Sequence, residues 1–155
     1  DARYSDEEGY LYRHTENYIK KFSDSELPKT LSWSDQGKLS CLQKYIVGDS
    51  QLLGIKRNKR IEPVTIVKLQ TIFKCGKRMC YNTIQEAKKN KVIKEVVIDG
   101  VAWYAYNPIY GLKNKRLSVT AFLIFQEELL NELPEWVVHE FMKKAEKLPK
   151  PVIKK

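Results

Sequence analysis

Histidine, cysteine and long hydrophobic runs are all scarce in this chain. The 155 residues include two histidines and three cysteines. The longest apolar run, residues 119–125, is interrupted by Thr120 and falls well short of the roughly 18 residues that a transmembrane helix needs. We therefore expect neither a membrane span nor a membrane partner. Three cysteines cannot all pair, and their spacing is not that of a secreted disulfide framework, so we expect a reducing, cytoplasmic setting.

The same scarcity argues against metal and enzyme chemistry. His14 and His139 are far apart in the sequence, and four residues separate Cys75 from Cys80. Structural zinc sites instead use four ligands, commonly in two close pairs. The sequence also lacks a glycine-rich phosphate loop and a nucleophile signature. We therefore predict no catalytic residue, no metal site, no cofactor and no enzyme activity, and we assign Cys80 to the core and Cys75 to packing in a turn.

Positive charge is in excess, and one internal segment holds it. The formal net charge is +9, and 43% of the residues are hydrophobic, which is enough to bury a core. Residues 56–116 carry fifteen basic and four acidic side chains, so their net charge of +11 exceeds that of the whole chain. A localised basic segment is expected in a protein that binds a polyanion, although a solvated basic surface is the other explanation.

Hydrophobic periodicity predicts three helices followed by a hairpin. The first helix covers about residues 35–47, with Ser32 placed to cap it, and the next two cover residues 66–73 and 77–90. An Asp-Gly pair then separates two β-rich runs within residues 92–106. This pair predicts a hairpin, because both central residues of a type I′ turn need positive φ.

The remaining segments carry fewer signals. We predict a basic loop at residues 56–60, a strand at 117–125 and helices at 126–133 and 134–147. The final helix has an apolar stripe, which either closes the core of its own subunit or forms a homodimer contact. The stripe consists of Val137, Phe141, Ala145 and Leu148.

This order of elements resembles the winged helix-turn-helix superfamily of DNA-binding proteins over about residues 31–108. The chain departs from the family at Gln70, where Ala is usual, and at Lys91, where Gly often ends the third helix. A narrower resemblance, which rests on residues 106–108 and the basic run 113–116, is to the RepL-type replication proteins of Gram-positive plasmids and related phages. The apolar skeleton and cap of the motif fall at Leu69, Phe73, Cys75, Gly76, Cys80, Ile84, Ala87, Val92 and Ile93.

The resemblance implies an α+β winged helix-turn-helix domain at residues 31–125. An acidic, aromatic N-terminal extension (residues 1–30) precedes it, and a C-terminal helical arm with a basic tail (residues 126–155) follows. The implied function is sequence-specific binding of double-stranded DNA, in replication initiation of a plasmid or phage or in transcription regulation. The implied base-reading residues are Lys77, Arg78, Tyr81, Asn82 and Gln85. The implied phosphate contacts are Lys56, Arg57, Lys59, Arg60, Lys74, Lys88, Lys113, Lys115 and Arg116.

The alternative function is a phage-type protein–protein adaptor that binds host polymerase or replication machinery with the same scaffold. An adaptor predicts a contiguous apolar patch formed by Tyr81, Trp103 and Tyr104. We assign Trp103, Tyr104 and Tyr106 to the core or to a subunit contact, because aromatic side chains contribute strongly to burial. The predicted hairpin tip, residues 95–100, is acidic, so we do not expect it to enter the minor groove of DNA.

Overall fold

Residues 26–112 and 116–154, with the short stretches 4–5 and 9–11, are the part of the chain that the computed structural model describes. Within these ranges the protein is of mixed α+β class, as the sequence predicts. The helices there are α1 (Trp33–Leu42), α2 (Ile66–Phe73), α3 (Lys77–Lys89), α4 (Val119–Ile124), α5 (Gln126–Leu129) and α6 (Glu135–Ala145). The strands there are β1 (Tyr4–Ser5), β2 (Gly9–Leu11), β3 (Ile46–Val47), β4 (Leu52–Arg57), β5 (Arg60–Pro63), β6 (Ile93–Ile98), β7 (Val101–Tyr106), β8 (Arg116–Leu117) and β9 (Val152–Lys154).

The larger sheet has the strand order β3-β4-β7-β6-β9, and β5 pairs with β4. All of its pairings are antiparallel, and β4 meets β7 at Leu52 and Ala105. The predicted β6–β7 hairpin is confirmed, with φ of 50° at Asp99 and 78° at Gly100 in its turn. A smaller sheet joins β1, β2 and β8.

Two hydrophobic cores lie on opposite faces of the larger sheet. Successive residues of a strand point to opposite faces, and Tyr106 belongs to one core while Ala105 belongs to the other. Helices α1–α3 therefore cover one face and α4–α6 cover the other. Core A includes Leu39, Leu42, Leu53, Leu69, Ile84, Ile93 and Tyr106. Core B includes Val96, Ala105, Phe122, Phe125, Leu129, Val137 and Phe141.

Side-chain hydroxyls cap the first two helices, and the cap predicted at Ser32 is confirmed. The hydroxyl of Ser32 accepts a hydrogen bond from the backbone N–H of Asp35, and that of Thr65 accepts one from Lys68. The bounds of α2 are those predicted, and α3 ends one residue earlier than predicted. Helix α1 begins two residues earlier than predicted and ends five residues earlier, at Leu42. A short 3₁₀ helix, Gln43–Tyr45, follows it, and residues 46–47, predicted as helix, form β3.

Two further predicted segments are wrong. Residues 56–60 are not a loop but the end of a hairpin, in which β4 and β5 meet through a two-residue turn with positive φ at Asn58 and Lys59. The segment 117–125 is not a strand. The hydroxyl of Ser118 accepts a hydrogen bond from the backbone N–H of Ala121 and caps helix α4, whose apolar residues pack in core B.

The C-terminal helix packs within its own subunit. Val137, Phe141 and Ala145 are buried, and the Phe141 ring stacks on Phe122 with 4.9 Å between centroids. The apolar stripe therefore closes the core, which is the first of the two predicted alternatives, although Leu148 is exposed. The predicted division between residues 125 and 126 falls inside this packed layer, and β9 returns to pair with β6. No helix in the described part of the chain is both long and apolar enough to cross a membrane.

Candidate nucleic-acid interface

Helix α3 is held against the molecule by one face. Cys80, Ile84 and Ala87 are buried in core A at helical spacing. The hydroxyl of Thr83 donates a 2.8 Å hydrogen bond to the carboxylate of Asp35, which ties α3 to α1. The opposite face of α3 therefore points to solvent.

The five predicted base-reading residues are all exposed. Arg78, Asn82 and Gln85 follow one another at steps of four and three, so they lie on the outward stripe. Lys77 and Tyr81 lie beside this stripe, and the Lys77 ammonium is 5.9 Å from the centroid of the Tyr81 ring. The structure thus places all five on the exposed side of α3, within residues 77–85.

Sequence reasoning missed two exposed residues of the same helix. Lys89 lies four residues after Gln85, so it extends the outward stripe by about one helical turn, and its side chain is exposed. The helical spacing alone was a sufficient signal for Lys89. Met79 is 52% exposed in the first turn, where an unbranched apolar side chain is available to contact a thymine methyl group.

Lys88, one of the predicted phosphate contacts, forms an ion pair within the protein. Its ammonium lies 3.1 Å from Oε1 of Glu95 on β6, and the side chains of both residues are mostly buried. Lys154 on β9 approaches the other oxygen of Glu95 at 3.3 Å. Lys88 is therefore engaged in joining α3 to the sheet.

The carboxylate of Glu95 has a lowered pKa. Burial alone raises the pKa, but the hydrogen bonds and charges of Lys88 and Lys154 outweigh burial. Because the folded-state pKa lies below the unfolded value of about 4.3, the stabilisation is present above that pH. It is lost as the pH falls through the lower, folded-state pKa.

Replacing this carboxylate should change the dependence of stability on pH. We expect Glu95→Gln to lower the free energy of unfolding by about 1 kcal/mol at neutral pH. The difference from the parent protein should shrink below about pH 4, where the unfolded carboxylate is protonated. Urea unfolding at several pH values measures this. Replacement of the exposed Glu132 by Gln is the control, and a constant difference for Glu95→Gln at all pH values would contradict the ion-pair account.

A second basic surface lies at the end of the β4–β5 hairpin, and we call residues 56–60 the basic tip. All five side chains are exposed, and four of them are the predicted phosphate contacts Lys56, Arg57, Lys59 and Arg60. Arg57 stands directly opposite Arg60 in the strand register. Glu62 is an acidic neighbour, 2.9 Å from the ammonium of Lys68 and 3.9 Å from the guanidinium of Arg57. The hydrogen bond and charge of Lys68 lower the pKa of Glu62, so this carboxylate is ionised beside the tip.

The four remaining predicted phosphate contacts differ in their environments, and the structure describes two of them. Lys74 is exposed in the turn between α2 and α3, where it ends α2 in a left-handed conformation with φ of 55°. Arg116 is only partly exposed, and its guanidinium donates a 3.2 Å hydrogen bond to the carbonyl of Gly9, so it holds β8 to β2. Lys113 and Lys115 lie outside the described residues.

The apolar patch that an adaptor predicts is not formed. Tyr104 packs with core A and Trp103 with core B, so their side chains lie on opposite faces of the sheet. Burial, the Glu95 carboxylate and the phenol of Tyr81 together raise the pKa of Tyr104 to about 12. Tyr81 and Tyr104 are thus neighbours, whereas Trp103 belongs to the other side of the molecule. The prediction that Tyr106 is a core residue is confirmed.

The two cysteines near the start of α3 pack against each other. Their sulfur atoms are 3.5 Å apart, and burial, together with the hydrogen bond to Cys75, raises the pKa of Cys80 to about 11. Gly76 is the N-cap of α3, so Cys75 and Cys80 occupy the two positions of a hydrophobic staple. Their predicted roles in turn and core are confirmed. Among the residues that the structure describes, no group of three or more His, Cys, Asp and Glu side chains is placed to hold a metal ion.

Comparison with known proteins gives no match to this chain. No protein-family model, no curated protein and no solved structure matches it. The geometry of α3 and of the basic tip is therefore the basis for the functional conclusion.

Proposed function

We propose that the protein binds double-stranded DNA sequence-specifically through a winged helix-turn-helix. The chain order α1, β4, α2, α3, β6, β7 and the pairing of β4 with β7 support this assignment. In such a unit two short helices pack by one face each, and the second helix presents its other face to a groove.

The outward stripe of α3 is the observation that carries the proposal. The major groove is about 12 Å wide and admits one α-helix. An arginine can read guanine there, and asparagine or glutamine can read adenine, through paired hydrogen bonds. Arg78, Asn82 and Gln85 supply these groups on one exposed stripe. Lys89 supplies a further cation at the same surface.

The proposed biological role is replication initiation of a plasmid or phage, or transcription regulation.

A homodimer on paired half-sites also stays a prediction. Its contact would use residues other than Val137 and Phe141, since these lie inside the subunit. Trp136 and Met142 are large apolar residues of the same helix that keep part of their surface exposed and could contribute to such a contact.

Arg78→Ala should reduce sequence discrimination. The preferred site is first obtained by selecting bound duplexes from a random pool with the full chain. On that site the variant should lose about 1–3 kcal/mol of binding free energy, because one bidentate base contact is removed. On random duplex the loss should be much smaller. A competition titration with the two duplexes at one salt concentration measures the ratio.

Two comparisons make this experiment decisive. Lys150→Ala removes one exposed cation far along the chain and should leave the ratio unchanged. Circular dichroism verifies that each variant is folded. If Arg78→Ala and Asn82→Ala both preserve the ratio, α3 does not read sequence, and the adaptor becomes the better account.

A further inference from the structure

The basic tip has a charge arrangement that does not favour folding. Like charges that stand directly opposite on paired strands destabilise a hairpin, and here Arg57 faces Arg60. Four of the five tip residues are cations, and the turn residue Lys59 adopts φ of 66°. Positive φ is uncommon for a lysine. Glu62, 3.9 Å from Arg57 and shared with Lys68, balances only part of this charge, so an anion from outside the chain would relieve the rest.

The two hairpin tips lie at the same end of the sheet and differ in charge. Strands β4 and β7 are antiparallel neighbours that meet at Leu52 and Ala105. The end of β4 at Arg57 therefore points in the same direction as the start of β7, where Asp99 occupies the turn. One tip offers two guanidinium groups, and the other offers a carboxylate.

We propose that the basic tip, and not the β6–β7 hairpin, reads the minor groove next to the α3 site, with Arg57 and Arg60 selecting A·T-rich flanks. This inference rests on the proposed function. The body of a two-stranded ribbon is too wide for a groove of about 6 Å, but arginine side chains enter it. The narrow minor groove of A·T tracts has an enhanced negative potential that attracts arginine. The same potential repels Asp99.

Strand β4 extends the basic tip away from the point where it joins β7. From Leu52, where it pairs with β7, to Arg57 the strand makes five steps, or about 16 Å at about 3.3 Å per residue. The guanidinium of Arg57 is on a side chain that is 72% exposed and extends this reach.

Inosine substitution in the flanks tests the inference. An I·C pair presents the major-groove edge of G·C but lacks the minor-groove amino group that distinguishes G·C from A·T. We use the duplex selected by the full chain, with its flanks rebuilt as A·T, I·C or G·C. The parent protein should bind the A·T and I·C flanks about five- to tenfold more tightly than the G·C flanks. The Arg57→Ala, Arg60→Ala double variant should bind all three equally.

Control variants distinguish recognition of the minor groove from a general effect of positive charge. The Lys143→Ala, Lys147→Ala double variant removes the same charge from exposed positions and should keep the flank preference. Equal binding of the three duplexes by the parent protein would overturn the inference, as would a preference that survives loss of both arginines. Failure of the random pool to yield any preferred duplex would overturn the proposed function and this inference with it.

Discussion

Replacing Arg57, Lys59 and Arg60 together by alanine should weaken binding to every duplex by roughly 100-fold at low salt. Each cation that neutralises a phosphate releases about 0.9 counterion, so the slope of log affinity against log salt should fall by about 2.7. All three side chains are exposed at the basic tip. Titrations between about 50 and 200 mM salt measure the slope.

A control with the same loss of charge shows whether position matters. Lys143, Lys147 and Lys150 are exposed on or after α6, and removing all three also lowers the net charge by three. This triple variant should keep nearly the full salt slope. Equal losses in the two triple variants would indicate that only the overall charge matters, and that the hairpin makes no contact.

Phe141→Ala should lower the free energy of unfolding by about 3–5 kcal/mol, because it removes a fully buried ring and leaves a cavity. The ring stacks on Phe122 and lies in core B with residues of the sheet. Urea unfolding followed by circular dichroism measures the loss. We expect the unfolding of α6 and of the sheet to coincide, since they share one core.

The neighbouring residue provides the control for this variant. Met142 is 44% exposed, so Met142→Ala should change the stability by about 0.5 kcal/mol or less. Sedimentation at micromolar concentration separates the two uses of α6. If Phe141→Ala left the stability unchanged but converted a dimer into a monomer, the packing of the stripe within its own subunit would be wrong.

Local signals were sufficient to predict α2, α3 and the β6–β7 hairpin. A hydroxyl at Thr65 caps α2, and the Asp99-Gly100 pair fixes the turn, so neighbours in the sequence determine each boundary. The β4–β5 hairpin has no comparable signal, because lysine at the second turn position is not a residue type that favours positive φ.

Contacts distant in sequence also shape that hairpin. A Cβ atom at Gly54 would lie 2.8 Å from Cγ2 of Ile61 and 2.9 Å from Cγ2 of Val47, so only glycine fits in β4 at this position. Sequence alone shows the glycine but not the side chains that close over it. The short apolar run before Gln126 is ambiguous for a similar reason, since a strand and a buried helix share its composition.

The candidate site was predicted best where a single helix determines it. One period of 3.6 residues places Arg78, Asn82 and Gln85 together, and the structure keeps them exposed. The ion pair of Lys88 could not be predicted in this way, because its partner Glu95 lies on a strand and is also held by β9. The helical periodicity of α3 carries no information about an ion-pair partner that lies on a strand of the sheet.

The position of β9 has a consequence for any shortened form of the protein. Strand β6 lies between β7 and β9, and three residues, Val152–Lys154, cover its outer side. Removing them turns β6 into an edge strand with unpaired backbone groups along Glu95–Val97, beside the apolar residues Val96 and Ile98. Such an edge is a template for strand pairing between molecules. Preparations cut before Val152 should therefore self-associate through β6, which would give misleading evidence of oligomerisation.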